Sequence, residues 1–138
     1  MLSTTNQDKG RAGLSLAIAY YGANGYTISI PLNDTQWYDL IIEKDGIFKT
    51  VQCKATGSLD GRIDLRSTGV TNGGVYDRAL DHPIDYFFCI NQNGTLYHIP
   101  ADDVRNSKGK NGFSLRETPL SSSTNQNILD TTKYIVKI

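Results

Sequence analysis

From about Asp8 to Tyr21 the chain carries apolar positions at Leu14, Leu16, Ala17, Ala19 and Tyr20, and Asp8 stands where it can cap the first turn. This predicts a helix. Gly22 and Gly25 interrupt the pattern, and Tyr26–Ile30 then alternates apolar with polar until Pro31, as a strand does. Two β-branched runs, Tyr38 to Glu43 and Ile47 to Ala55, are joined by Lys44-Asp45-Gly46, and Asp-Gly is the strongest short hairpin signal. Thr56 to Gly74 shows neither period and reads as a long loop or mobile arm. Tyr86–Asn91 and Thr95–Pro100 predict a second hairpin around Gln92-Asn93-Gly94, where Asn-Gly would supply positive φ angles. A helical turn over Ala101–Arg105 and a β-rich run, Tyr134–Ile138, close the chain. There is no internal repeat, and the 138 residues suit one domain, 1–138.

The first hairpin acquires chemistry once it is given a register. With Asp45 and Gly46 as a two-residue turn, Lys44 pairs with Ile47 and Asp39 falls opposite Gln52. Cβ atoms of opposite residues lie about 4.5–5.5 Å apart, and Lys54 projects from the same face. Leu40, Ile42, Val51 and Cys53 form the other face, which is apolar and suited to packing on a helix. A turn of three to five residues would shift the register, so the geometry is conditional on the turn. An Asp, a Gln and a Lys on one sheet face also occur simply to keep a surface soluble. The catalytic use of such a cluster is phosphodiester hydrolysis. Asp39, the Gln52 side-chain oxygen and the Cys53 carbonyl could hold Mg²⁺ or Mn²⁺, hard cations that take oxygen ligands. Lys54 would orient the attacking water and stabilise charge developing on the phosphate.

Composition narrows the picture less. A hydrophobic content of 38% with 20% charged residues fits a folded globular chain and excludes disorder. Fourteen basic residues balance fourteen acidic ones, so net charge offers no argument for nucleic acid. Arg105, Lys108, Lys110 and Arg116 nevertheless cluster in one loop-like stretch, readable as a basic surface or as a solvated loop. Cys53 and Cys89 sit inside apolar runs and read as buried thiols, and His82 and His98 lack neighbours at metal-ligand spacing and read as structural. The first residues show neither a basic nor an apolar signal region and no stretch reaches membrane-spanning length, which predicts an intracellular protein with no membrane partner.

Asp39 with Gln52-Cys53-Lys54 resembles the motif of the PD-(D/E)XK nucleases, an Asp and a Glu-x-Lys on adjacent strands, with Gln in place of Glu. The likeness is nearest to the intron-encoded homing endonucleases of that superfamily and extends over most of the chain. It includes Lys9-Gly10-x-x-Gly13, Ile30-Pro31, Asp85-Tyr86-Phe87-Phe88 and Tyr97-x-Ile99-Pro100. The resemblance implies an α/β fold with a restriction-endonuclease-like core, a mixed β-sheet whose central catalytic hairpin is flanked by helices. It implies cleavage of double-stranded DNA with Mg²⁺ or Mn²⁺, in a homodimer or homotetramer, in the cytoplasm beside the nucleoid of a bacterial or phage-infected cell. Candidate DNA contacts are Lys9, Arg11, Arg62, Arg66, Arg78, Lys108 and Lys110. Two alternatives share the layout: a structure-selective nuclease resembling Holliday-junction resolvases, and a DNA-binding module that has lost activity. The family's first-helix Glu is replaced by Leu14, and Asp8 lies some 120° around the helix from it. Asp39 is then the one formal negative charge offered to a metal, so metal should bind weakly before DNA arrives.

Overall fold

A computed structural model of the protein describes residues 5–33, 35–66, 77–121 and 127–138. Helix α1 spans Asn6–Ala23, longer at both ends than its periodicity predicts. The cap is Thr5 rather than Asp8, because the Thr5 hydroxyl accepts the Asp8 N–H at 3.2 Å. Asp8 instead sits in the first turn, where its charge suits the helix dipole, and pairs with Arg11 at 3.3 Å.

Eight strands follow: β1 (Thr27–Ser29), β2 (Leu40–Lys44), β3 (Ile47–Ala55), β4 (Arg62–Asp64), β5 (Tyr86–Ile90), β6 (Leu96–Pro100), β7 (Gly112–Ser114) and β8 (Ile135–Val136). A short helix, α2 (Ala101–Arg105), occupies the predicted helical turn. Six strands form one sheet in the order β1-β2-β3-β5-β6-β8, with β3 and β5 parallel and the other neighbours antiparallel. This is the expected mixed sheet, with the β2–β3 hairpin inside it. The hairpin has the predicted register, Lys44 opposite Ile47, and Asp45 and Gly46 take φ of 54° and 79°, as a type I′ turn requires.

One face of the sheet packs on α1. Leu40, Ile42, Val51, Phe88 and Ile90 join Ala17 and Tyr21 in an apolar layer with almost no exposure. Gly13 faces Ala55 and Ile90, where a Cβ would lie 3.8 Å from each, an ordinary packing distance. Ala19, counted among the helix's apolar positions, is exposed to solvent, and Tyr21 is buried.

On the other face, β4 and β7 pair into a small second sheet that lies over β5 and β6. Ile63, Leu65, Phe113 and Leu115 meet Phe87, Cys89, Tyr97 and Ile99 there, with Val104 of α2. The expected structureless stretch from Thr56 therefore contains a strand, which corrects that reading; its residues 67–74 lie outside the described ones. Arg62-Ile63-Asp64-Leu65-Arg66 does alternate, with Ile63 and Leu65 buried, but the strand is short and its partner lies far along the chain. Leu115 N–H donates to Gly61 O at 2.8 Å, and only glycine fits that approach at φ 68°.

Two smaller expectations also change. In the second hairpin Gly94 has positive φ and Asn93 does not; Asn91 Oδ1 organises the loop by accepting the N–H groups of Asn93 and Thr95, each at 2.9 Å. At the end of the chain only Ile135–Val136 joins the sheet, because Thr131–Tyr134 forms a 3-10 turn capped by Asp130. Among the described residues, no helix is long and apolar enough to cross a membrane.

Candidate active site

Asp39 was expected directly opposite Gln52, and the structure corrects this. The β2–β3 ladder stops at Leu40 opposite Val51. Asp39 N–H turns to Val51 O at 2.8 Å, and its Oδ2 accepts the Cys53 N–H at 2.7 Å. A side chain thus replaces the next rung, and β2 parts from β3. The N–H and C=O of one strand residue leave by the same edge, so the Cys53 carbonyl faces this gap as well. Oδ1 of Asp39 carries no hydrogen bond among the described residues.

Gln52 and Lys54 pair with Phe87 and Cys89 of β5, and their side chains share the face on which the second sheet packs. Gln52 is 8% exposed, and its Oε1 is enclosed with no hydrogen-bond partner among the described residues. A buried acceptor left unsatisfied costs about 1–3 kcal/mol, which a cation would relieve. Asp39 remains water-accessible overall, although protein atoms crowd its carboxyl. Desolvation raises its pKa, against the lowering effects of the Cys53 N–H and the Lys54 charge. These groups fit a hard divalent cation: a carboxylate with a free oxygen, an orphaned amide oxygen and an edge carbonyl. No cluster of three His, Cys, Asp or Glu side chains accompanies them among the described residues. Leu14 contributes no charge, being packed against the apolar layer under α1.

The basic candidates fall into two groups. Arg11 pairs with Asp8, Arg66 with Asp64 at 3.0 Å and Arg78 with Asp81 at 3.3 Å. Arg105, read as part of a basic surface, is structural: it binds the carbonyls of Leu80, His82 and Ile84 and the Asp102 carboxylate. Arg62, Lys108 and Arg116 line one cleft beside β7, and Lys110 is exposed nearby along the chain. Lys9 lies across Gly57, just beyond the end of β3, where a side chain on residue 57 would displace it.

The remaining polar candidates are structural. His98 stacks on Tyr86 at 4.4 Å, and burial lowers its pKa to about 4. His82 stacks on Trp37 at 4.5 Å and meets Asp77 at 3.0 Å. Cys89 is buried and Cys53 partly so, and burial raises both thiols. The spacing argument overlooked Asp85, whose Oδ2 accepts the Thr50 N–H at 2.9 Å and ties β3 to β5; its place in Asp85-Tyr86-Phe87-Phe88 was the available signal.

The family model described as PD-(D/E)XK endonuclease matches residues 4–137. The chain belongs to the PD-(D/E)XK endonuclease family. Its fold is shared by a bacterial homing endonuclease, I-Ssp6803I, with a TM-score of 0.73 and 20% identity over 95% of this chain and 88% of that one. No curated protein matches. Within the PD-(D/E)XK family, the protein is a DNA endonuclease.

Proposed function

We propose that this PD-(D/E)XK endonuclease is a Mg²⁺-dependent, site-specific enzyme of the homing type that cuts double-stranded DNA, with Asp39, Gln52 and Lys54 as its catalytic cluster. The observation that supports this reading is the Asp39 carboxylate in the gap between β2 and β3, held by the Cys53 N–H within electrostatic reach of Lys54, with the buried, unpaired Gln52 Oε1 on the same strand as Cys53 and Lys54. The shared fold of a bacterial homing endonuclease supports the homing reading. A divalent cation held by Asp39, Gln52 and the Cys53 carbonyl would supply charge neutralisation at the scissile phosphate.

The chain's own groups carry the rest. Lys54 orients the attacking water and donates to a phosphate oxygen as charge grows there during P–O cleavage. The Cys53 N–H fixes the Asp39 carboxylate, so little reorganisation accompanies substrate binding. Gln52 sits on β3 opposite Phe87 of β5, and burial restricts where its amide can lie. Lys9, Arg11, Arg62, Arg66, Arg78, Lys108 and Lys110 are proposed to contact phosphates, the ion-paired arginines exchanging a carboxylate for a phosphate. Cutting both strands needs two sites, hence a homodimer or homotetramer of one-domain chains. The proposed setting is the cytoplasm, beside the nucleoid.

The test is Mg²⁺-dependent cleavage, by the protein and by Lys54→Ala, of linear DNA from the insertion locus and of a synthetic four-way junction. Discrete cuts in the linear DNA that the variant cannot make support the proposal. Junction-selective cutting would establish a resolvase instead. Binding without cleavage of either substrate would make Leu14, where the family has a Glu, the residue that ended activity.

A further inference from the structure

The protein has six arginines, and four of them, Arg11, Arg66, Arg78 and Arg105, are each in an ion pair. The other two, Arg62 and Arg116, have no carboxylate within ion-pair distance among the described residues, and both line the same cleft with Lys108. The cleft encloses about 260 Å³, its apolar wall comes from Phe113, Ile128 and Leu129, and no carboxylate lines it. Three cationic residues therefore line one cleft that no carboxylate lines among the described residues, while Asp60 and Asp64 act on Arg62 only from beyond ion-pair distance.

Local structure holds them there. The Arg116 backbone is clamped on both sides: its N–H donates to Thr131 Oγ1 at 2.7 Å and its carbonyl accepts the Tyr97 hydroxyl at 2.8 Å. Its Nε is enclosed and has no hydrogen-bond partner among the described residues. Gly112 makes room for the Arg62 guanidinium, which lies 2.9 Å from where a Cβ on residue 112 would stand. Nearby carboxylates accept hydrogen bonds from groups other than the guanidinium groups of the cleft. Asp60 accepts from Ser58 Oγ and Arg62 N–H, Asp64 from Arg66, and Glu117 from Asn93 and Thr95. The first two are held below the ordinary Asp range by those hydrogen bonds, and Glu117 below the Glu range, so all three stay ionised and occupied.

From this we infer that the cleft is a phosphate-binding clamp for the DNA backbone, separate from the phosphodiester being cut. Arginines outside any ion pair, beside an apolar wall, suit a phosphate, which accepts forked hydrogen bonds and gains from reduced water competition. The second sheet carries the cleft on the same side of the central sheet as Gln52 and Lys54, so one duplex lying along that side reaches both. The clamp rests on the nuclease reading only for the identity of its ligand; a free phosphate shares the same chemistry.

The test is equilibrium binding of a short mixed-sequence duplex, without divalent metal, across a series of salt concentrations. Arg62→Gln with Lys108→Gln is the primary variant because both positions are exposed. Adding Arg116→Gln makes the triple variant, and Lys133→Gln with Lys137→Gln removes equal charge from the C-terminal segment. The clamp predicts a drop of about ten-fold or more for the primary variant and a salt slope shallower by about two units. The Lys133/Lys137 control should change affinity less than about three-fold at nearly unchanged slope. Equal losses in the two double variants would overturn the clamp, as would unchanged binding in the primary variant. Lys54→Ala that binds but does not cut, beside an unaffected primary variant, would sink the clamp and leave the nuclease reading intact. If inorganic phosphate raises the melting temperature of the wild type but not of the triple variant, while DNA affinity is equal in both, the cleft serves free phosphate and the DNA proposal falls.

Discussion

The two faces of the central sheet differ in what covers them. Under α1 the layer is continuous, from Leu40 and Ile42 through Val51 to Phe88 and Ile90, and excludes water almost completely. On the opposite face the β4–β7 sheet covers β5 and β6 but stops short of β1 and β2, where Thr27 and Ser29 are exposed and Phe48 is 66% exposed. The catalytic candidates lie at that boundary. Gln52 is enclosed, Lys54 is half-buried and Asp39 is open to water. The difference separates stability from chemistry: a sealed face can hold the strands rigid while a partly covered one reduces solvation around charges and still admits a polyanion.

Substitutions on the two faces should therefore have opposite signatures. Phe88→Ala, on the sealed face, is expected to cost about 3–5 kcal/mol in denaturant unfolding, and cleavage per folded molecule should survive. Lys54→Ala should lower the single-turnover cleavage rate by about 10²–10³-fold with the unfolding midpoint nearly unchanged. A comparable loss of stability in both variants would erase the distinction.

His98 tests the sealed face by pH. Its folded pKa of about 4 lies below its ordinary value, so the unfolded chain takes up a proton first as pH falls. The contribution is fully present above the ordinary His range and is lost as pH falls towards 4, by at most about 3 kcal/mol. His98→Phe should flatten that part of the stability curve measured by urea titration. Asp39, at the boundary, has the opposite sign. Its raised pKa contributes stability at acid pH that is lost as pH rises through the folded value, so Asp39→Asn should be more stable than wild type near neutrality, while cleavage disappears. The smallest expected effect is Gln52→Glu, which adds a second negative charge. It should tighten Mg²⁺ binding without DNA by about ten-fold in calorimetry, roughly 1.4 kcal/mol. Unchanged affinity would remove Gln52 from the ligand set.

Much of the frame was legible along the chain because short-range physics dictates it. Asp45-Gly46 can adopt the positive φ angles of a two-residue turn, and that turn sets the register through Leu40 and Val51. The Asp39 and Gln52-Cys53-Lys54 spacing likewise drew attention to the β2–β3 hairpin, where the proposed site lies. The register argument failed one residue past the ladder, because it assumed backbone pairing where a carboxylate makes a competing hydrogen bond to Cys53. It also missed β4, whose alternation spans few residues and gains its stability from a partner near residue 113.

The sequence by itself determined the helix, the two hairpins and the strand bearing Lys54, since turn chemistry and apolar period act between near neighbours. Tertiary structure alone decided that β2 leaves β3 at Asp39 and, among the described residues, that Gln52 Oε1 is enclosed without a partner and that Arg62 and Arg116 stand outside the ion pairs that hold the other arginines. Each of these depends on which distant segment fills the space beside a polar group, and burial and pairing are properties of that neighbourhood rather than of the residue.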